Sequence, residues 1–184
     1  HYIERFLEAN RAVLRGRILE VGDSRYATRW GAPDSIVDVL DPDPASAAAV
    51  HGDLVTGVGV PIERYDAIIL TQVLHVLPDM AAAVGHVRAA LRPGGTVLAS
   101  LPGISQVSRY DMDRWGDYWR VTDRGARRLF EGAFAAGDID VAAYGNVLTA
   151  VAALAGLSAE ELRPEELDHV DPDYQVLVCV RATR

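Results

Sequence analysis

The stretch Arg17-Ile-Leu-Glu-Val-Gly-Asp-Ser-Arg-Tyr-Ala-Thr-Arg-Trp-Gly31 runs from an apolar strand through a glycine turn into a short helical segment. Strand, turn and helix in that order are how an open α/β sheet begins its ligand crevice. Such a turn usually carries two or three glycines. Here Gly22 alone stands in place, with Ser24 and Tyr26 where later ones would fall. The first glycine permits the tight turn, and the later ones permit close backbone approach to a ligand. Tyr26 is therefore expected to narrow whatever pocket lies there.

Outward from this stretch, apolar runs alternate with helical patterns, the signature of an α/β fold. Residues 2–14 form an amphipathic helix with Ile3, Phe6, Leu7 and Val13 on one face. Strands are expected at Ile18–Val21, at Ser35–Leu40, as a weak third strand that ends near His51-Gly-Asp53-Leu54, and at Tyr65–Thr71, a continuous apolar run of the buried parallel type. A helix with Pro78 in its first turn and Ala81, Val84, Val87 and Leu91 on one stripe follows. Arg92-Pro-Gly-Gly95 stops it ahead of a strand at Thr96–Leu101. Residues 102–121 read as a long functional loop. Thr122 caps a helix carrying Ala126, Leu129, Phe130, Ala133 and Phe134. A strand at Ile139–Ala143, a helix at Asn146–Leu157, a capping box at Ser158-Ala-Glu-Glu161 and a last strand at Gln175–Val180 complete the chain. There is no internal repeat or linker, so residues 1–184 read as one domain.

Composition narrows the function. The chain has 184 residues, a net charge of −8 and 49% hydrophobic residues. That balance opposes a nucleic-acid partner, which needs a concentrated cationic face. Every basic residue is arginine, which removes Schiff-base chemistry, P-loop phosphate binding and a lysine base. The single cysteine, Cys179, excludes an internal disulfide and suits a reducing cytoplasm. The longest apolar run, Val147–Leu157, is too short to span a bilayer. No signal peptide precedes the first strand, and a cytoplasmic location is expected. The histidines and the cysteine show no metal-ligand spacing, so no metal is expected.

Several landmarks line up in order: Leu19-Glu-Val-Gly22, an acidic residue after the second strand, Gly52-Asp53-Leu54, Tyr65-Asp66, and Leu91-Arg-Pro-Gly-Gly95. The series resembles the class I S-adenosylmethionine-dependent methyltransferases over essentially the whole chain. Pro102-Gly-Ile-Ser-Gln, Trp115-Gly-Asp-Tyr-Trp-Arg-Val-Thr122, Tyr144-Gly-Asn-Val-Leu148 and Asp171-Pro-Asp-Tyr174 further resemble a bacterial group of methyltransferase domains associated with glycosyltransferases and polysaccharide assembly. The resemblance implies a Rossmann-like, doubly wound seven-stranded sheet with the last strand antiparallel. It also implies S-adenosylmethionine lying across the C-terminal ends of the first strands.

It further implies roles for particular residues. Glu20, Gly22 and Asp23 would take the cofactor's methionine part. Asp38, sixteen residues after Gly22 against about 20 for a ribose-binding acid, would take the ribose, with Asp41 as substitute. Asp53 would accept from the adenine amine and Leu54 pack on its face; an Asx-type turn is the competing role for Asp53. Thr71, Gln72 and His75 follow the fourth strand, where donor and acceptor meet in that fold. His75 is a candidate base or a structural residue. Asp111 and Asp113 are rival bases or a solvated loop surface. Tyr110, Trp115, Tyr118 and Trp119 either dock the loop or form a platform for sugar faces. Arg109, Arg114 and Arg120 could recognise an anionic group. Tyr118, Trp119 and Arg120 are expected to line the acceptor side.

The leading expectation is O-methylation of a sugar or glycan intermediate, with a glycosyltransferase as a partner. The alternative is a non-catalytic adaptor that has lost its cofactor. A dinucleotide-dependent oxidoreductase is disfavoured by the missing three-glycine fingerprint.

Overall fold

The computed structural model describes residues 1–184. In chain order the elements are α1 (Tyr2–Ala9), β1 (Arg17–Val21), α2 (Arg25–Trp30), β2 (Ile36–Asp41), β3 (Val50–His51), β4 (Tyr65–Thr71), α3 (Met80–Ala90), β5 (Leu91–Pro102), α4 (Arg109–Met112), α5 (Asp123–Glu131), β6 (Ile139–Tyr144), α6 (Val147–Leu154), α7 (Pro164–Asp168) and β7 (Leu177–Thr183), with short 3-10 turns between some of them. The strands form one sheet in the order β3-β2-β1-β4-β5-β7-β6. β1 to β5 are parallel neighbours, and β7 runs antiparallel to both β5 and β6. The expected doubly wound sheet with an antiparallel last strand is what forms.

Period-two alternation explains why the central strands are apolar throughout. Along β4, Ile68 and Leu70 join the larger core on one face, and Ala67 and Ile69 join the smaller core on the other. Helices cover both faces, so neither parity is left to water. The strand order reverses between β1 and β4, and that reversal opens a crevice at the C-terminal ends of the strands.

Several boundaries differ from the sequence reading: α1 ends at Ala9, α6 spans Val147–Leu154 and the last strand spans Leu177–Thr183, and two others have a clear local cause. α3 begins at Met80, because the Asp79 carboxylate accepts the Ala82 N–H at 2.9 Å and caps the helix there. Pro78 therefore precedes the helix. Leu91 starts β5, paired with Tyr65 ahead of a register shift. The Gly94–Gly95 pair lies within that strand, where the Gly94 N–H meets the Arg184 carbonyl at 2.6 Å and the Arg184 N–H meets the Gly95 carbonyl at 2.9 Å. No helix is long and apolar enough to cross a membrane.

Candidate active site

β1 ends in a turn at Gly22, which adopts φ +88, a conformation that favours glycine. No atom lies within 4 Å of where a Cβ on Gly22 would stand. Beyond this turn lies a cavity of about 290 Å³ lined by the ends of four strands. Val21 and Gly22 come from β1, Leu40, Asp41 and Pro42 from β2, Gly52, Asp53 and Leu54 from the exit of β3, and Thr71 and Gln72 from that of β4. Val73, Val76 and Leu77 form the next wall, and Trp115 closes the cavity from the long loop. The lining holds two carboxylates and no arginine.

Of the residues expected at the cofactor, Gly22, Asp53, Leu54, Thr71 and Gln72 line this cavity. Gln72 sits at φ 56, uncommon for a residue with a side chain. Its backbone N–H and side-chain amide each donate to Ser100 Oγ at 3.1 Å, tying the exit of β4 to β5. Outliers of this kind cluster at functional sites. The Asp53 carboxylate accepts the Val55 N–H at 2.7 Å and the Thr56 hydroxyl at 2.9 Å. Burial opposes ionisation of Asp53, but these hydrogen bonds outweigh it and hold the carboxyl below its ordinary range. Asp53 thus builds the turn and faces the cavity together.

Three expected residues lie elsewhere. Asp38 is buried and salt-bridged to Arg17, with oxygens 2.8 and 3.0 Å from the guanidinium nitrogens, and it accepts the Tyr65 hydroxyl at 3.2 Å. Arg17 and Tyr65 open their strands, so this cluster lies toward the starting edge of the sheet. Asp41 is the β2 carboxylate at the cavity. Glu20 is also buried, and its two oxygens accept the N–H groups of Tyr26 at 3.1 Å and Ala27 at 2.7 Å, closing the first turn of α2. Burial raises its carboxyl from 4.5 to about 6. Asp23 is exposed and turns back on Arg25. Tyr26 packs on Trp30, ring centroids 5.6 Å apart, and leaves the cavity unobstructed.

The loop after β5 is a strap with a clasp. Arg120 grips Asp117 through two nitrogens at 2.5 and 2.8 Å and reaches the Gln106 carbonyl at 2.6 Å. Asp117, whose side chain is fully buried, also accepts the Ser108 N–H at 2.9 Å. The guanidinium holds its carboxyl down at about 2. The strap is fastened to the chain after β4 by Tyr118 N–H to the His75 carbonyl at 2.9 Å and the Trp119 indole N–H to the Leu77 carbonyl at 2.8 Å.

This arrangement reassigns the acceptor-side residues. Arg120 belongs to the clasp, and Trp119 is a fastener with one face exposed. His75 is 6% exposed, does not line the cavity, and its Nδ1 has no partner. Burial lowers its pKa, against the pull of the nearby Asp117 and Asp111 charges. Asp113 and Tyr118 are exposed and Asp111 is partly buried, and none of the three lines the cavity. Asp41, the substitute named for Asp38, is the β2 acid that lines the cavity, and the residues the sequence reading missed are Pro42, the Val73–Leu77 wall and the specific role of Trp115. Asp41 had a usable signal, since it stands nineteen residues after Gly22.

A family model for a methyltransferase domain matches residues 1–133. With that match, the crevice and the strand order, the chain belongs to the methyltransferase domain family. It is 31% identical over 98 residues to a highly reducing polyketide synthase of Emericella nidulans, a match covering 47% of this chain and 4% of that much longer protein. Among solved structures it resembles a SAM-dependent methyltransferase from Archaeoglobus fulgidus, with 13% identity, a TM-score of 0.61, and coverage of 100% of this chain and 93% of the other. A similar likeness holds for an S-adenosylmethionine-dependent methyltransferase from Mesorhizobium loti, with 20% identity, a TM-score of 0.60, and coverage of 100% and 96%.

Proposed function

We propose that this chain transfers a methyl group from S-adenosylmethionine to a hydroxyl oxygen of a sugar or glycan intermediate, with a glycosyltransferase on the same intermediate as its partner. The observation that carries the reading is Trp115. Its ring closes the cavity while remaining 53% exposed, so cavity and outer aromatic face are continuous.

The cavity fits the cofactor chemically. Open space over Gly22 admits a ligand against the backbone. Asp41 suits two ribose hydroxyls, and Asp53 with Leu54 suits adenine. Two carboxylates, no arginine and an indole face favour a cationic sulfonium and disfavour a pyrophosphate. Bound there, the cofactor would supply an electrophilic methyl group. The protein's part is to hold the acceptor in line and take its proton. Trp115 and Tyr118, each more than half exposed, offer ring surface to a sugar, while Tyr110 packs against Trp115 and carries the Arg114 guanidinium over its ring, 3.5 Å from the centroid. Among the candidate bases, Asp111 is favoured. It lies on α4, four residues before Trp115, and no protein group hydrogen-bonds its carboxylate, whereas His75 is sealed beneath the strap. In this reading the Asp111 carboxylate takes the hydroxyl proton as the oxygen attacks.

One observation favours the adaptor reading. The Gly22 N–H is used by the Leu40 carbonyl at 3.0 Å, and Glu20 occupies the α2 donors, leaving few backbone donors for a cofactor carboxylate. Calorimetry with S-adenosylmethionine and S-adenosylhomocysteine separates the two. Binding is expected; no heat at millimolar cofactor would establish the adaptor. Given binding, labelled methyl transfer into glycan intermediates is expected, and Asp111→Asn should cut turnover by about 10²–10⁴-fold with cofactor affinity unchanged.

A further inference from the structure

Helix α6 buries its small side chains and shows its large ones. Thr149, Ala150 and Ala152 are buried, whereas Val147, Leu148, Val151 and Leu154 are 43–59% exposed. Leu157, just past the helix, is 47% exposed. At about 100° per residue, Val147, Leu148, Val151, Leu154 and Ala155 fall within one arc roughly 120° wide. An ordinary surface helix turns its apolar arc to the core and its polar arc to water. Here the arc facing away from the protein is the apolar one. No residue from Val147 to Ala159 is charged, in a chain of net charge −8.

We propose that this face is a self-association surface, on which a second copy of the chain packs its α6 antiparallel to the first across a two-fold axis at Val151. Three observations select a second copy as the occupant. The stripe is self-complementary when reversed: on one flank Leu148 meets the partner's Ala155, on the other Val147 meets the partner's Leu154, and Val151 meets itself between them. The chain's acidity repels another copy over most of its surface, and this uncharged patch lets two copies touch without burying carboxylates. The area reaches the lower bound for a specific interface: the exposed parts of these side chains and the nearby Val170 amount to on the order of 500 Å² per copy, or about 1,000 Å² for the pair. Val170 is continuous with the patch, because the Asp171 N–H bonds the Gly145 carbonyl beside the start of α6.

α6 contributes nothing to the cavity, so the proposal stands apart from the methyl-transfer reading. Sedimentation equilibrium of the full chain over a micromolar series should give twice the 19.9 kDa chain mass. Val151→Glu and Leu154→Glu should each return the monomer, with the far-ultraviolet spectrum unchanged because both positions are exposed. Val151→Cys should form a disulfide-linked dimer on mild oxidation, uncomplicated by the buried Cys179. A monomer at every concentration overturns the proposal. So does a dimer that survives Val151→Glu, or wild-type dimers that Val151→Cys does not cross-link.

Discussion

Asp38 and Asp41 stand three positions apart on β2 and do different work. Residues of opposite parity on a strand point to opposite faces, so one carboxylate meets Arg17 and Tyr65 while the other lines the cavity. Substitutions should separate the roles. Asp41→Ala is expected to weaken S-adenosylhomocysteine binding by about 1.5–3 kcal/mol, the scale for hydrogen bonds to a charged acceptor, with the denaturation midpoint nearly unchanged. Asp38→Ala leaves the guanidinium of Arg17 facing a largely buried site without its partner. It should lower the urea denaturation midpoint, with little change in affinity of the folded fraction. Affinity falling with Asp38→Ala and holding with Asp41→Ala would reverse the assignment.

At the scale of elements, the strap behaves as one unit because its two ends are pinned by the same ion pair. Arg120→Met removes the guanidinium but keeps much of the aliphatic bulk, stranding the Asp117 carboxylate. Hydrogen exchange should then speed up at the Ser108 and Tyr118 amides, while the β4 and β5 amides stay protected. If the strap stays closed without Arg120, protection will be unaltered and the clasp is secondary. The same scale shows what the sequence makes legible. Alternation and turn chemistry located all seven strands, since burial on both sheet faces writes continuous apolar runs such as Ala67–Leu70. Gly22, Asp53, Leu54, Thr71 and Gln72 were legible because strand ends define the crevice. The strap was not. Its Asp117–Arg120 pair is an exposed-looking, polar dipeptide spacing whose burial depends on tertiary packing, and a histidine beneath it reads identically to one in a site wall. Asp38 misled for a related reason: strand position is visible in the sequence, but which edge its side chain serves depends on Arg17 and Tyr65 from neighbouring strands.

For the whole molecule, the buried titratable groups set opposing slopes of stability against pH. Glu20 has its folded pKa raised from 4.5 to about 6 by burial, so its stabilising contribution is complete below about 4.5 and is lost as pH rises through about 6. The rise corresponds to about 2 kcal/mol. His75 has its folded pKa lowered by burial, so its contribution is present above its ordinary 6.5 and is lost as pH falls through the folded value. Asp117, held at about 2 by Arg120, contributes stability at every pH above its ordinary 3.8 and loses it only as pH falls through about 2. Across about pH 4.5 to about pH 6.5 the Glu20 and His75 contributions therefore oppose each other. Glu20→Gln removes one slope and keeps an acceptor for one of the two α2 amides. In urea denaturation from about pH 4 to about pH 8, the variant should gain on the wild type as pH rises through about 6, and the two curves should lie closest at the acid end, where Glu20 is neutral like the glutamine that replaces it. Parallel curves across that range would mean that Glu20 keeps an ordinary pKa in the fold, and that its two α2 hydrogen bonds compensate fully for its burial.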